Sequence, residues 1–253
     1  PFNYNNIEQL EQLIKDNHGE IAAIKMEVSR NEKPKDNYLQ KVRELATENN
    51  IVLIFDECTS GFRETFGGLH KKYEVEPDIA VFAKALGNGY AISACIGRQE
   101  IMQSAQQTFI SSTFWTERIG PTAALKTLEV MEREKSWEKI TQTGKDVSSQ
   151  WRALAEKYDL GINTWGLPAL SGYAFNSINN LQYKTLITQE MLKKGYLASD
   201  SIYTCVEHTK EVVNSYFVAL DPIFSIIKEC ENGKDVNSLL FGPVCHNGFE
   251  RLN

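Results

Sequence analysis

Residues 51–55, Ile-Val-Leu-Ile-Phe, are apolar without a break and end on Asp56. A strand that is apolar on both faces has to be covered on both faces, the condition of a parallel sheet flanked by helices. The residues before it agree. Residues 21–28 read as a strand, and Leu39, Val42, Leu45 and Ala46 then fall on one face of a helix. Strand, helix, strand predicts a βαβ unit and an α/β fold. An earlier helix is marked by Ile7, Leu10, Leu13 and Ile14.

Two further short runs, residues 79–82 and 91–96, are separated by Gly87-Asn88-Gly89, which reads as a turn. A helix is expected from Gly120-Pro121, because proline suits the first helical turn. From Ser136 onward Trp137, Ile140, Val147, Trp151 and Leu154 mark the buried stripe of a long amphipathic helix. Strand-like pieces follow at 161–165 and 171–176, then helices near 183–194 and 210–230. Pro222 is expected to kink the last helix or break it in two. The pattern divides into residues 1–135, with the mostly parallel sheet, and residues 136–253, a smaller α+β domain.

A chain of 253 residues with 42% hydrophobic content can bury a real core. Its net charge of −6 argues against a nucleic-acid partner, since phosphate binding leaves a basic footprint. No apolar stretch is long enough to span a membrane, and no signal peptide precedes the first helix, so a soluble, cytoplasmic protein is expected. Cys58, Cys95, Cys205, Cys230 and Cys245 are odd in number and scattered, the pattern of reduced thiols. Cys205 and His208 with Cys245 and His246 lack the compact paired spacing of a structural zinc site, so no metal is expected.

In open α/β sheets ligands bind beyond the carboxyl ends of the strands. Asp56 sits there, although a helix cap or loop acid would look the same. Lys84 follows the run at 79–82, where a solvated surface lysine is the plain alternative. Taken together the two mean more. A cofactor that acts as an electron sink needs an amine to bind it covalently and an acid to keep its pyridine nitrogen protonated. Desolvation at the strand ends is expected to favour the neutral, nucleophilic lysine.

The segments Ile54-Phe55-Asp56-Glu57-Cys58-Thr59-Ser60-Gly61-Phe62-Arg63 and Pro77-Asp78-Ile79-Ala80-Val81-Phe82-Ala83-Lys84-Ala85-Leu86-Gly87-Asn88-Gly89 closely resemble those of the class III aminotransferases. The resemblance is greatest to the subgroup with glutamate-1-semialdehyde aminomutase and aminotransferases of sugar and polysaccharide pathways. It implies fold type I with pyridoxal 5′-phosphate as cofactor. It makes Asp56 the partner of the pyridine nitrogen and Lys84, 28 positions on, the lysine that forms the Schiff base and moves the proton. A third segment, residues 112–121, is similar to one whose threonine, five residues before the proline, contacts the cofactor phosphate of the neighbouring subunit. That residue is Thr116, and it implies a homodimer with shared active sites. Glu57 and Arg63 are second candidates, near the ring and in loop structure. Val28 departs from the family, where proline often follows the glutamate.

Family members begin well upstream of Pro1. The upstream part supplies the phosphate-holding turn, a stacking aromatic and part of the substrate pocket. The chain is therefore expected to be a fragment, a truncated reading frame or one piece of a split protein. The resemblance implies a transaminase or an aminomutase working on small-molecule amino donors and acceptors, an amino sugar precursor or a small amino or keto acid among them. The alternative is an aminotransferase-like chain without catalysis, retained for dimerisation or binding.

Overall fold

The computed structural model describes residues 1–29, 31–111, 113–114 and 116–248, which form two compact units, Pro1–Glu138 and Lys139–Asn253. In the first unit α1 (Ile7–Asp16) leads to β1 (Ala23–Glu27), α2 (Tyr38–Glu48) and β2 (Val52–Asp56). Strand β2 pairs in parallel with β1, Glu27 opposite Asp56, and in parallel with β3 (Ile79–Phe82), Asp56 opposite Val81. The expected βαβ unit is there, with Leu39, Val42 and Ala46 of α2 and Leu53 and Phe55 of β2 buried. Burying each of these larger side chains contributes about 1.5–3 kcal/mol, so the sheet and α2 stabilise each other.

The fourth strand, β4 (Ala94–Gly97), runs antiparallel to β3 and starts three residues later than the apolar run suggests. Close packing explains the delay. A Cβ on Gly87 would lie 2.2 Å from the Tyr90 carbonyl oxygen, and one on Gly120 would lie 2.7 Å from that of Ala91. The backbone at 90–91 is therefore held against two glycines rather than in the sheet. The short α3 (Gln99–Met102) precedes α4 (Ile119–Glu134), whose first N–H groups, of Ile119 and Gly120, donate to the Glu117 carboxylate. This cap starts the helix one residue before Gly120.

In the second unit β5 (Ile162–Leu167), β6 (Leu170–Phe175) and β7 (Ser201–Tyr203) form an antiparallel sheet in that order. Helices α5 (Ser136–Lys157), α6 (Asn180–Lys193) and α7 (Lys210–Glu231) contribute to one core with it, centred on Trp151, Tyr173, Phe175, Tyr183 and Phe224. Strand β7 has only three residues and was not expected from the sequence. Pro222 neither breaks α7 nor splits it. The helix buries Leu220, Ile223, Phe224 and Ile227 around the proline. At roughly 1.5–3 kcal/mol each, that burial exceeds the ~3 kcal/mol that proline costs a helix interior.

Gly144 of α5 is where the helix meets the β5–β6 turn. A Cβ there would lie 1.8 Å from the Pro168 carbonyl oxygen, a backbone atom. Alanine would gain about 1 kcal/mol of helix propensity, but the backbone clash dominates. Gly144→Ala is expected to lower stability by about 2 kcal/mol net, read as a drop in the urea midpoint with an unchanged slope. Equal or greater stability would show that the turn can move aside.

Candidate active site

Two neighbouring parallel strands deliver the site. Asp56 ends β2, and Lys84 lies two residues beyond β3. The chain leaves β3 abruptly: Ala83 is extended, and Lys84 adopts φ +43°, in the left-handed region. A lysine there costs roughly 1–3 kcal/mol relative to a residue without a Cβ. The turn then closes on Lys84, whose carbonyl accepts from the N–H groups of Gly87 (3.2 Å) and Asn88 (3.1 Å). Lys84 is exposed, so apolar packing does not offset this strain; Lys135, at φ +49°, shows that a helix end can impose the same conformation.

The Lys84 ammonium donates from Nζ to the Thr59 hydroxyl at 2.8 Å. Its side chain is otherwise exposed, so the expected desolvation is not supplied by the described residues. Asp56 uses both carboxylate oxygens. Oδ1 accepts from the Cys58 N–H at 3.1 Å, and Oδ2 lies 3.0 Å from Lys25 Nζ. Burial works to raise the Asp56 carboxyl, but the Lys25 hydrogen bond, the Cys58 N–H and thiol, and the Lys25 charge together hold it below the usual carboxylate range. The Cys58 thiol is pushed up by burial first and by its hydrogen bond to Asp56 next, while the charges of Lys84 and Lys25 oppose this. The Cys58 N–H bond to Asp56, the Lys25–Asp56 ion pair and the Lys84–Thr59 hydrogen bond gather these side chains around the turn after β2.

Glu57 plays another part than that expected near the ring. It is 0% exposed. Its Oε1 accepts from the His70 N–H at 2.9 Å and lies 2.9 Å from His70 Nδ1, while Oε2 accepts from the Ser60 hydroxyl. Both oxygens are committed to the loop after β2. Gly68 makes this approach possible, since a Cβ there would lie 2.2 Å from the His70 ring. Arg63 supports the same loop, donating from Nε to the Thr59 carbonyl at 3.4 Å.

Thr116 lies in an exposed turn just before α4. Among the described residues no hydrogen bond or ion pair joins it to Asp56 or Lys84; Ser112 and Trp115 of the same segment lie outside the described residues. Sequence reasoning missed Thr59, Lys25 and the Glu57–His70 pair. Nothing in their local pattern marks them, because each contact depends on strand register or on a loop folding back. Nor do the histidines and cysteines noted earlier gather: the Cys205 N–H donates to His208 Nδ1 at 3.0 Å, closing a local turn. No helix among the described residues is long and apolar enough to cross a membrane.

Chemically the cluster offers one ionised carboxylate and two primary amines, Lys25 paired with Asp56 and Lys84 held by the Thr59 hydroxyl beyond the neighbouring strand. That donor set fits pyridoxal phosphate, whose pyridine nitrogen needs an acid and whose aldehyde needs an amine.

Comparison with known proteins bears on this fit. A family model described as aminotransferase class-III matches residues 3–221. The chain is similar to 3-aminobutyryl-CoA aminotransferase of Cloacimonas acidaminovorans (strain Evry), with 33% identity over 222 residues, 83% of this chain and 54% of that protein. It is similar also to glutamate-1-semialdehyde 2,1-aminomutase of Methanocaldococcus jannaschii, with 28% identity over 87% of this chain and 57% of that protein. Among solved structures, the PLP internal aldimine form of the FumI protein of Sphingopyxis sp. MTA144 superposes with a TM-score of 0.85 at 21% identity, over 94% of this chain and 60% of that one. A transaminase with PLP bound gives 0.79 at 18% identity, over 91% of this chain and 58% of that one. The chain spans a little over half the length of these curated relatives.

Proposed function

Because the chain belongs to the class-III aminotransferase family, whose cofactor is pyridoxal phosphate, we propose that it takes part in amino-group transfer with Lys84 as the covalent anchor and proton carrier. The observation that carries this reading is the pair of neighbouring strand ends presenting an ionised Asp56 and the strained Lys84. The family match over residues 3–221, with Asp56 and Lys84 both present in the matched stretch, does not favour the non-catalytic alternative.

Two residues would hold the cofactor: Lys84 through Nζ, and Asp56 through a charge-assisted hydrogen bond to the pyridine nitrogen. When bound, the cofactor supplies an electron sink for the charge left on a substrate carbon after a proton departs. The chain's own residues do the rest. Lys84 Nζ, once freed by an incoming amine, takes that proton and returns it at another position. Asp56 stays charged throughout, and Glu57 with His70 keeps the loop beyond β2 in place. Unit Pro1–Glu138 is the cofactor-binding part in this reading, and Lys139–Asn253 the small domain. Thr116 would serve the cofactor phosphate of a second copy, which makes a homodimer the working assembly.

The substrate class is a small amino or keto acid or an amino sugar precursor; the relatives named for 3-aminobutyryl-CoA and glutamate-1-semialdehyde support an amino-acid-derived molecule. The test is an absorbance scan of the purified protein with pyridoxal phosphate. A band near the visible edge, bleached by borohydride and shifted by an amino donor, is the expected result; its absence overturns the reading. Release of a keto product would then mark a transaminase, and an amino group moved within one molecule an aminomutase.

A further inference from the structure

We propose that Thr59 is the positioning residue for Lys84, holding its amine by a hydroxyl hydrogen bond from a turn built to be rigid. The inference rests on the reading of Lys84 as the reacting amine and adds a residue to that site. The contact is direct: Lys84 Nζ donates to Thr59 Oγ1 at 2.8 Å across 25 residues of sequence. Without it, an exposed lysine would sample many rotamers, and ordering such a chain on reaction is a cost that preorganisation removes.

The hydroxyl itself does not wander. Thr59 is 9% exposed and sits in a turn fixed on both sides. Before it, the Cys58 N–H donates to Asp56 Oδ1 at 3.1 Å. After it, the Ser60 hydroxyl donates to the buried Glu57 carboxylate, and the Gly61 N–H donates to the Glu57 carbonyl at 2.9 Å. Gly61 admits no side chain, since a Cβ would lie 2.7 Å from the Phe82 ring and 2.8 Å from the Glu57 carbonyl oxygen. The strand end that carries Asp56 thus also fixes the acceptor for Lys84.

A hydroxyl suits this task better than a carboxylate. Ammonium and neutral amine can both donate an N–H to it, so the contact persists as Lys84 gains or loses a proton. A carboxylate in the same place would favour the charged form and hold the proton back.

The test compares the purified wild type with Thr59→Val, which is close in shape but lacks the hydroxyl, and Thr59→Ser, which restores it. Each is reacted with pyridoxal phosphate, fixed with borohydride, and the modified lysine located by peptide mass spectrometry. Rates are compared at one fixed alkaline pH for all the proteins. We expect labelling of Lys84 to fall about tenfold in Thr59→Val, in line with the loss of one hydrogen bond, and to recover to within about twofold in Thr59→Ser, with thermal midpoints unchanged. Labelling of Lys84 in Thr59→Val at the wild-type rate overturns the role of Thr59 alone. Wild-type label on another lysine overturns the reading of Lys84, and the role of Thr59 with it. Should Thr59→Val fail to fold, Thr59→Ala against Thr59→Ser carries the same comparison with the same two outcomes.

Discussion

Lys84→Ala is expected to abolish borohydride-fixed attachment of pyridoxal phosphate and to lower amino transfer by about 10³-fold or more. The size follows from losing two roles at once, the covalent anchor and the general base, and general acid–base catalysis alone contributes roughly 10²–10⁴-fold. The fold should not suffer. Lys84 is exposed, and among the described residues its Nζ makes one hydrogen bond, to Thr59. Its backbone sits at φ +43°, where any side chain with a Cβ is strained. Lys84→Gly is therefore expected to be more stable than wild type by about 1 kcal/mol while being equally inactive. Gain of stability with loss of activity at one position is the signature of strain kept for function. Activity measured alongside the thermal midpoint checks both arms. Retained activity in Lys84→Ala would remove the lysine from the mechanism, and a destabilised glycine variant would remove the strain argument.

What the sequence made legible divides along a physical line. Strand β2 could be read because an apolar run without alternation has few alternatives, and Asp56 because it ends that run. Lys84 gained meaning only beside Asp56 and through the family motif. Contacts that depend on register were invisible. Lys25 reaches Asp56 because β1 pairs with β2 so that Glu27 faces Asp56, which places Lys25 on the same face two residues back. No local pattern in β1 states that offset. The Glu57–His70 pair needs a loop of more than ten residues to fold back through Gly68, and Thr59 meets Lys84 only once both strand ends are set side by side. Pro222 makes a related point: intrinsic propensity argues for a kink or a break, and the buried side chains around it, known only from the tertiary core, keep α7 from breaking in two. The antiparallel sense of β4 was equally hidden, since a strand's direction leaves no trace in its own composition.

Asp56→Asn is expected to weaken cofactor binding by about 10- to 100-fold and to slow amino transfer by about 10²-fold. A hydrogen bond involving a charged partner contributes about 1.5–3 kcal/mol, which sets the loss in affinity. The rate falls as well, because a neutral amide does not keep the pyridine nitrogen protonated, and the electron sink weakens with it. Asparagine is close in shape and its side-chain oxygen can still accept from the Cys58 N–H, so the β2 terminus should keep its conformation. The variant also removes the partner of Lys25, and Lys25→Met separates the two effects. Lys25 is 63% exposed, its pair with Asp56 is open to screening, and its loss should change cofactor affinity only a fewfold. The pH dependence gives an independent check. The Asp56 carboxyl is held below the usual carboxylate range, so whatever its charge contributes is fully present at neutral pH, persists through the pH at which an ordinary aspartate protonates, and is lost only as pH falls through the lowered value. Cofactor affinity of Lys25→Met should therefore begin to fall at higher pH than that of wild type, because the depressing hydrogen bond is gone, while Asp56→Asn should show no fall from this group at all. Coincident acid limbs in all three proteins would mean that Asp56 does not face the cofactor.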